Sequence, residues 1–155
     1  MFDENNTFEP FLTVESIGTP RNDFPGYVGM QITVGDEPIT VHALGRIFIY
    51  GNTEKHVLKI IDGRTGADVR GASVTVEGGE NLQFTYAELS RPIELEKNKI
   101  YYIVSEEHKN GDLWYHSDTK ISTNGKATVD GAIYFWGRWN LEAQNNAGFV
   151  PVNFK

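Results

Sequence analysis

Apolar and polar residues alternate with a period of two along most of this chain, and glycine cuts the alternation at short intervals. In residues 28–34, Val28, Met30, Ile32 and Val34 share one face and Gly29, Gln31 and Thr33 the other. Residues 39–50 read as one long strand, interrupted by a bulge near Gly45. Further strand patterns cover residues 57–61, 73–77, 82–86, 92–96, 100–104, 132–136 and 149–154. Residues 62–68 hold Gly63 and Gly66 and predict a turn, as do the dipeptides Asn110-Gly111 and Asn124-Gly125. Helix signals are confined to single turns at 87–90, stopped before Pro92, and at 140–146.

About ten short strands at this spacing predict an all-β fold, an antiparallel two-sheet β-sandwich of jelly-roll type. No strand alternates with a long helical pattern, which argues against a parallel α/β sheet. Residues 9–155 are expected to form one module, with residues 1–8 a frayed end that contains the formal glycosylation acceptor Asn5-Asn6-Thr7.

Charge then narrows the partners. The chain of 155 residues carries a formal net charge of −7, which argues against nucleic acid and against an acidic membrane face. No apolar run is long enough for a membrane helix, so no membrane insertion is expected. Cysteine is absent, which removes disulfides, zinc–thiolate sites and thiol nucleophiles. The first residues lack the basic and apolar regions of a signal peptide. The chain therefore reads either as cytoplasmic or, the favoured reading, as a module cut from a longer secreted protein.

Enzyme signatures are mostly missing: there is no phosphate loop, dinucleotide fingerprint, zinc-protease helix or nucleophile elbow. Glu106-Glu107 and Asp112 lie next to an aromatic run and supply the best carboxylates for a glycoside-cleaving pair, but acidic residues at hairpin ends more often serve only as solvated charges. Asp62, Asp68, Asp112 and Asp118 offer oxygens to a structural calcium ion. None follows the twelve-residue calcium loop, and turn-forming Asp is the favoured reading. No other metal set or cofactor is assigned.

The aromatics carry more information. All three tryptophans lie between residues 114 and 139. An indole face stacks on the apolar C–H face of a sugar, while Arg, Asn and His reach its hydroxyls. Trp139, Trp136 and Arg138 are the first candidates for a ligand surface, followed by Trp114, Tyr115 and His116, then by Tyr50 and His56 around residues 51–55. Trp114 alternates with His116 and reads more readily as core, whereas Trp139 reads as surface.

Three stretches complete the picture: residues 26–30 leading to 39–46, then Gly111-Asp112-Leu113-Trp114-Tyr115 to Asp118-Thr119, and finally residues 151–155. Together they resemble small β-sandwich accessory modules of bacterial secreted multidomain proteins, including those attached to carbohydrate-active enzymes. The resemblance implies a non-catalytic, extracellular or cell-surface module that binds polysaccharide and holds an attached catalytic domain near its substrate. A protein-interaction or adhesion module is the first alternative, and a small glycosidase or lyase the second.

Overall fold

The computed structural model describes residues 8–155. The expectation of a frayed end falls, apart from Phe8, outside these residues, as does the sequon at Asn5. Thirteen strands and no helix occur among the described residues, so none contains a helix long and apolar enough to cross a membrane.

In chain order the strands are β1 (Leu12–Ser16), β2 (Pro20–Arg21), β3 (Gly26–Val34), β4 (Ile39–Ile47), β5 (His56–Asp62), β6 (Asp68–Val76) and β7 (Phe84–Leu95). They continue as β8 (Ile100–Glu107), β9 (Trp114–Tyr115), β10 (Lys120–Thr123), β11 (Ala127–Phe135), β12 (Trp139–Ala143) and β13 (Val152–Phe154). Six of them form an antiparallel sheet in the order β12-β11-β3-β8-β5-β6, and three form a second in the order β13-β4-β7. Two small ladders, β1-β10 and β2-β9, complete the fold. The β1 ladder is fastened to β13 by the buried Asn153, whose side chain bonds both Leu12 N and Leu12 O at 2.9 and 2.8 Å. The architecture is a β-sandwich, as the alternation predicts. The strand order does not establish the finer jelly-roll connectivity.

Alternation decides which side chains enter the core. Val28, Met30 and Ile32 of β3, Leu58 and Ile60 of β5, and Ile103 of β8 pack with Val41 and Leu44 of β4 and Leu95 of β7 in one continuous cluster. Burying each such side chain contributes roughly 1.5–3 kcal/mol. The intervening residues point to the other face of the large sheet. There Ile61, Val104 and Ile133 form a smaller cluster with Tyr27, Tyr102 and Trp139.

Three local expectations are corrected. Residues 87–90 are not a helical turn but part of β7, which runs unbroken from Phe84 to Leu95 and absorbs the strands expected at 82–86 and 92–96. Pro92 is accommodated because β7 is an edge strand, and Leu89–Pro92 bulge opposite the single residue His42. Residues 139–143 are likewise strand, β12, paired along β11. The bulge in β4 lies between Val41 and Ala43 rather than at Gly45. Gly45 serves another purpose: a Cβ there would lie 2.7 Å from the Tyr86 ring on its cross-strand partner.

Candidate functional site

Two polar constellations lie at the same end of the sandwich, where β3 begins and β8 ends, and the loop 108–113 joins them. The first is closed. Because β5 and β8 alternate, His56 is in phase with Leu58 and Ile60, and Ser105 and Glu107 with Tyr101 and Ile103, so all three face inward. Arg46 of β4 meets them from the opposite layer. Its Nε and Nη2 donate to the two oxygens of Glu107 at 3.0 and 2.8 Å. The remaining N–H groups donate to Ile47 O, Asn52 Oδ1 and Leu113 O, so all five guanidinium donors are used.

His56 completes the array. Its Nδ1 faces the Glu106 carbonyl at 2.9 Å and its Nε2 faces Asp112 Oδ2 at 2.8 Å. Both partners only accept, so both ring nitrogens carry protons and His56 is an imidazolium. Burial opposes that charge, but Glu107, whose Oε2 lies 3.3 Å from Nδ1, and Asp112 outweigh it and hold the His56 pKa above its ordinary value. Burial likewise opposes ionisation of Glu107 and Asp112. Their bonds to His56, with Arg46 on Glu107 and the Thr53 and Glu54 amides on Asp112, hold both carboxyls below the usual range. Two cations and two anions thus neutralise one another inside the protein. A Cβ at Gly111 would crowd Glu54 Oε1, so the Glu54 carboxylate would have to shift.

Glu54, His56 and Asp112 place ligand atoms within 4.8 Å of one another. These atoms are already engaged: His56 Nε2 bonds Asp112, and Glu54 Oε1 accepts the Asp112 amide at 2.7 Å. The four aspartates considered for calcium do not gather. Asp62 caps Arg64 N, Asp68 bonds Lys59, Asp118 bonds Thr19, and Asp112 belongs to the network.

The second constellation is open. β2 pairs with β9 so that Arg21 lies directly opposite Trp114, and its guanidinium carbon sits 4.6 Å from the centre of the Trp114 ring. Arg21 Nε donates to Asp23 at 2.7 Å, and this bond holds the Asp23 carboxyl below the usual range. Arg21 Nη1 lies 3.0 Å from His116 Nδ1. Since arginine can only donate, that ring nitrogen is the acceptor. Phe149 packs against both Trp114 and His116, at 5.7 Å from each.

An aromatic wall rises beside this floor. Phe24 stands 5.7 Å from both Tyr134 and Trp136. Residues 136–138 turn the β11–β12 hairpin, with Trp136 N bonded to Arg138 O at 2.9 Å and Gly137 at φ +70°. The turn leaves the Trp136 side chain 65% exposed. Phe24, Tyr134 and Trp136 line a cavity of about 400 Å³ together with Asp23 and Lys109. Phe24 and Tyr134 also border an inner cavity of about 220 Å³ that reaches Arg21, Trp114, Glu142 and Phe149. The two compartments therefore adjoin. Trp114 is fully buried, and its Nε1 is the one buried side-chain N or O atom without a hydrogen-bond partner among the described residues. Such a group costs roughly 1–3 kcal/mol.

The eight candidates from the sequence are thus divided. Trp136 borders the open groove, Trp114 lies beneath Arg21, and His116 lines neither compartment but holds Arg21 through its Nδ1. Tyr115 is buried and bonded to Val150. His56 is buried in the ionic network. Arg138 is exposed in the hairpin turn, and Tyr50 is exposed on the loop that follows β4. Trp139 is half-buried rather than free. It pairs with Phe135 across the hairpin and packs 5.1 Å from both Phe135 and Tyr102 on the outer face of the large sheet. Its ring contacts the protein, so the freely presented indole is that of Trp136.

Arg21, Asp23, Phe24, Tyr134, Glu142 and Phe149 escaped the sequence reading. They come from segments about 100 residues apart, and β2, which aligns Arg21 with Trp114, is only two residues long. No protein-family model matches the chain, and no curated protein sequence matches it.

Proposed function

We propose that the protein is a non-catalytic carbohydrate-binding module whose ligand surface is the groove bordered by Phe24, Tyr134 and Trp136. The observation that carries this reading is Trp136, lifted clear of the sheet by a hairpin turn beside a second ring, above a cavity with Asp23 and Lys109 on its walls. Aromatic faces supply stacking area for a sugar, and neighbouring charged groups supply hydrogen bonds that fix its orientation.

Two of the three carboxylates suited to glycoside chemistry, Glu107 and Asp112, support a binding role over a catalytic one. Glu107 is 1% exposed, with its oxygens bonded to Arg46 and Ser105. Asp112 is engaged by His56 and two backbone amides. Neither meets the requirement of lying within reach of a substrate proton. The resemblance to accessory modules of secreted bacterial proteins fits this reading. In such a setting the module holds an attached catalytic domain near polysaccharide and raises its effective concentration.

A second reading rests on a separate surface. Phe135 and Leu141, each 41% exposed, flank Trp139 on the outer face of the large sheet, and an exposed apolar cluster of this kind suits a protein partner. Affinity electrophoresis in gels containing glucans, xylans, mannans or pectins separates the two. Retardation without release of reducing ends supports the binding module. Release of reducing ends or unsaturated products makes it an enzyme, and no effect from any glycan favours the protein partner.

A further inference from the structure

We propose that the inner compartment of the groove selects one neutral sugar ring, gripped between Arg21 and Glu142, and discriminates against uronate and sulfated sugars. This rests on the carbohydrate-binding reading and adds the chemical class of the ligand.

Size comes first. The cavity measures about 220 Å³, below the roughly 300–1,000 Å³ of typical ligand pockets. That suits one six-membered ring with its hydroxyls. Val28, Trp114 and Phe149, all core residues, lie at its base, so a ring is held there against a rigid floor.

The unused polar groups come second. Arg21 spends Nε on Asp23 and Nη1 on His116, while Nη2 has no partner among the described residues. The Glu142 carboxylate and the Tyr134 hydroxyl also have none among them. The compartment thus gathers a donor (Arg21 Nη2), an acceptor (Glu142) and a group that does both (Tyr134). A sugar hydroxyl both donates and accepts, so neighbouring hydroxyls answer this mixture, while the ring's C–H face meets Phe24, Tyr134 or Phe149.

Charge decides the class. The groove holds Arg21 and Lys109 against Asp23 and Glu142, and is balanced. Arg21 is already neutralised by Asp23 at 2.7 Å. An anionic sugar would gain little from that guanidinium and would meet Glu142, on a protein of net charge −7. A neutral ring incurs neither penalty.

Calorimetry on the whole protein at fixed ionic strength tests this. Neutral hexasaccharides from glucan, xylan and mannan are titrated beside oligogalacturonate and a sulfated oligosaccharide. Glu142→Gln and Glu142→Lys are measured in parallel, with melting temperature as the check on folding. The wild type is expected to bind a neutral oligosaccharide about tenfold or more tightly than either acidic one. Glu142→Gln should weaken neutral binding about tenfold without loss of melting temperature, the effect of one charge-assisted hydrogen bond. Glu142→Lys should narrow the preference against acidic sugars. Preference of the wild type for the acidic sugars, or neutral binding untouched by Glu142→Gln, overturns this inference and leaves carbohydrate binding standing. Failure of both classes to bind overturns the carbohydrate reading itself.

Discussion

Arg46 and Glu107 meet edge to edge across the two layers of the sandwich, with two N–H···O bonds of 3.0 and 2.8 Å and almost no exposure of either side chain. Removing one member of a buried, fully bonded pair leaves the other charge without compensation. That costs about 3–5 kcal/mol, a large share of the stability of a domain this size. Arg46→Met should therefore lower the urea midpoint sharply. The double substitution Arg46→Met with Glu107→Leu should recover much of the loss, because no uncompensated charge remains. Equilibrium unfolding of the two variants checks this, and a double variant less stable than the single one would contradict it.

The same network predicts a pH optimum for stability. The His56 pKa is raised on folding, so its contribution is complete below the unfolded value of about 6.5 and fades as pH rises through the higher folded value. Glu107 and Asp112 are lowered, so theirs are complete above about 4.5 and fade as pH falls through the folded values. The network contributes most between about pH 4.5 and 6.5. Melting temperature plotted against pH should peak in that window, and His56→Gln should flatten the alkaline side. An unchanged alkaline slope in that variant would remove His56 from the account.

Trp114 and Trp136 should separate stability from binding. Trp114 is 0% exposed and packs edge-on against Phe149. Trp114→Ala should cost roughly 3–5 kcal/mol. Trp136→Ala removes an exposed ring in a turn and should change stability by about 0.5 kcal/mol or less. Thermal unfolding of the two variants gives the comparison, and equal losses would show that Trp136 is structural.

Much of this fold was legible in the sequence because period-two alternation survives wherever one face of a strand is buried. That is why β3, β5, β8 and the inward phase of Trp114 could be read directly. The alternation misled at β7, where Pro92 suggested a break. An edge strand absorbs a residue without an N–H in a bulge, and being an edge is a property of the sheet. The ionic network leaves a trace in the sequence: Arg46 sits two residues after Leu44 and Glu107 in phase with Tyr101 and Ile103, so charges occupy apolar positions. The groove left almost none, since Arg21, Phe24 and Phe149 meet only after β2 pairs with β9. The tryptophan ranking turned on the hairpin. Three residues of turn raise Trp136 and return Trp139 to the strand opposite Phe135, and the sequence Trp136-Gly137-Arg138-Trp139 does not say which ring is raised.

Phe24 offers a test of the wall independent of tryptophan. It touches Tyr134 and Trp136 and is half-buried. Phe24→Ala should weaken glycan binding on the order of five- to 150-fold, the range expected for loss of one stacking contact worth roughly 1–3 kcal/mol. Tyr50→Ala, at an equally aromatic but isolated surface position, should leave binding unchanged. Affinity electrophoresis of both variants against the best-retarding polysaccharide reads the difference.

The most direct test of the central claim is a tryptophan-fluorescence titration with that polysaccharide, run on the wild type, Trp136→Ala and Trp139→Ala. Trp114 is buried and Trp139 half-covered, so the ring free to report a stacked sugar is Trp136. The account predicts a shift of emission to shorter wavelength in the wild type and in Trp139→Ala, with both the shift and the affinity lost in Trp136→Ala while it remains folded. A folded Trp136→Ala that binds as tightly as the wild type would contradict it.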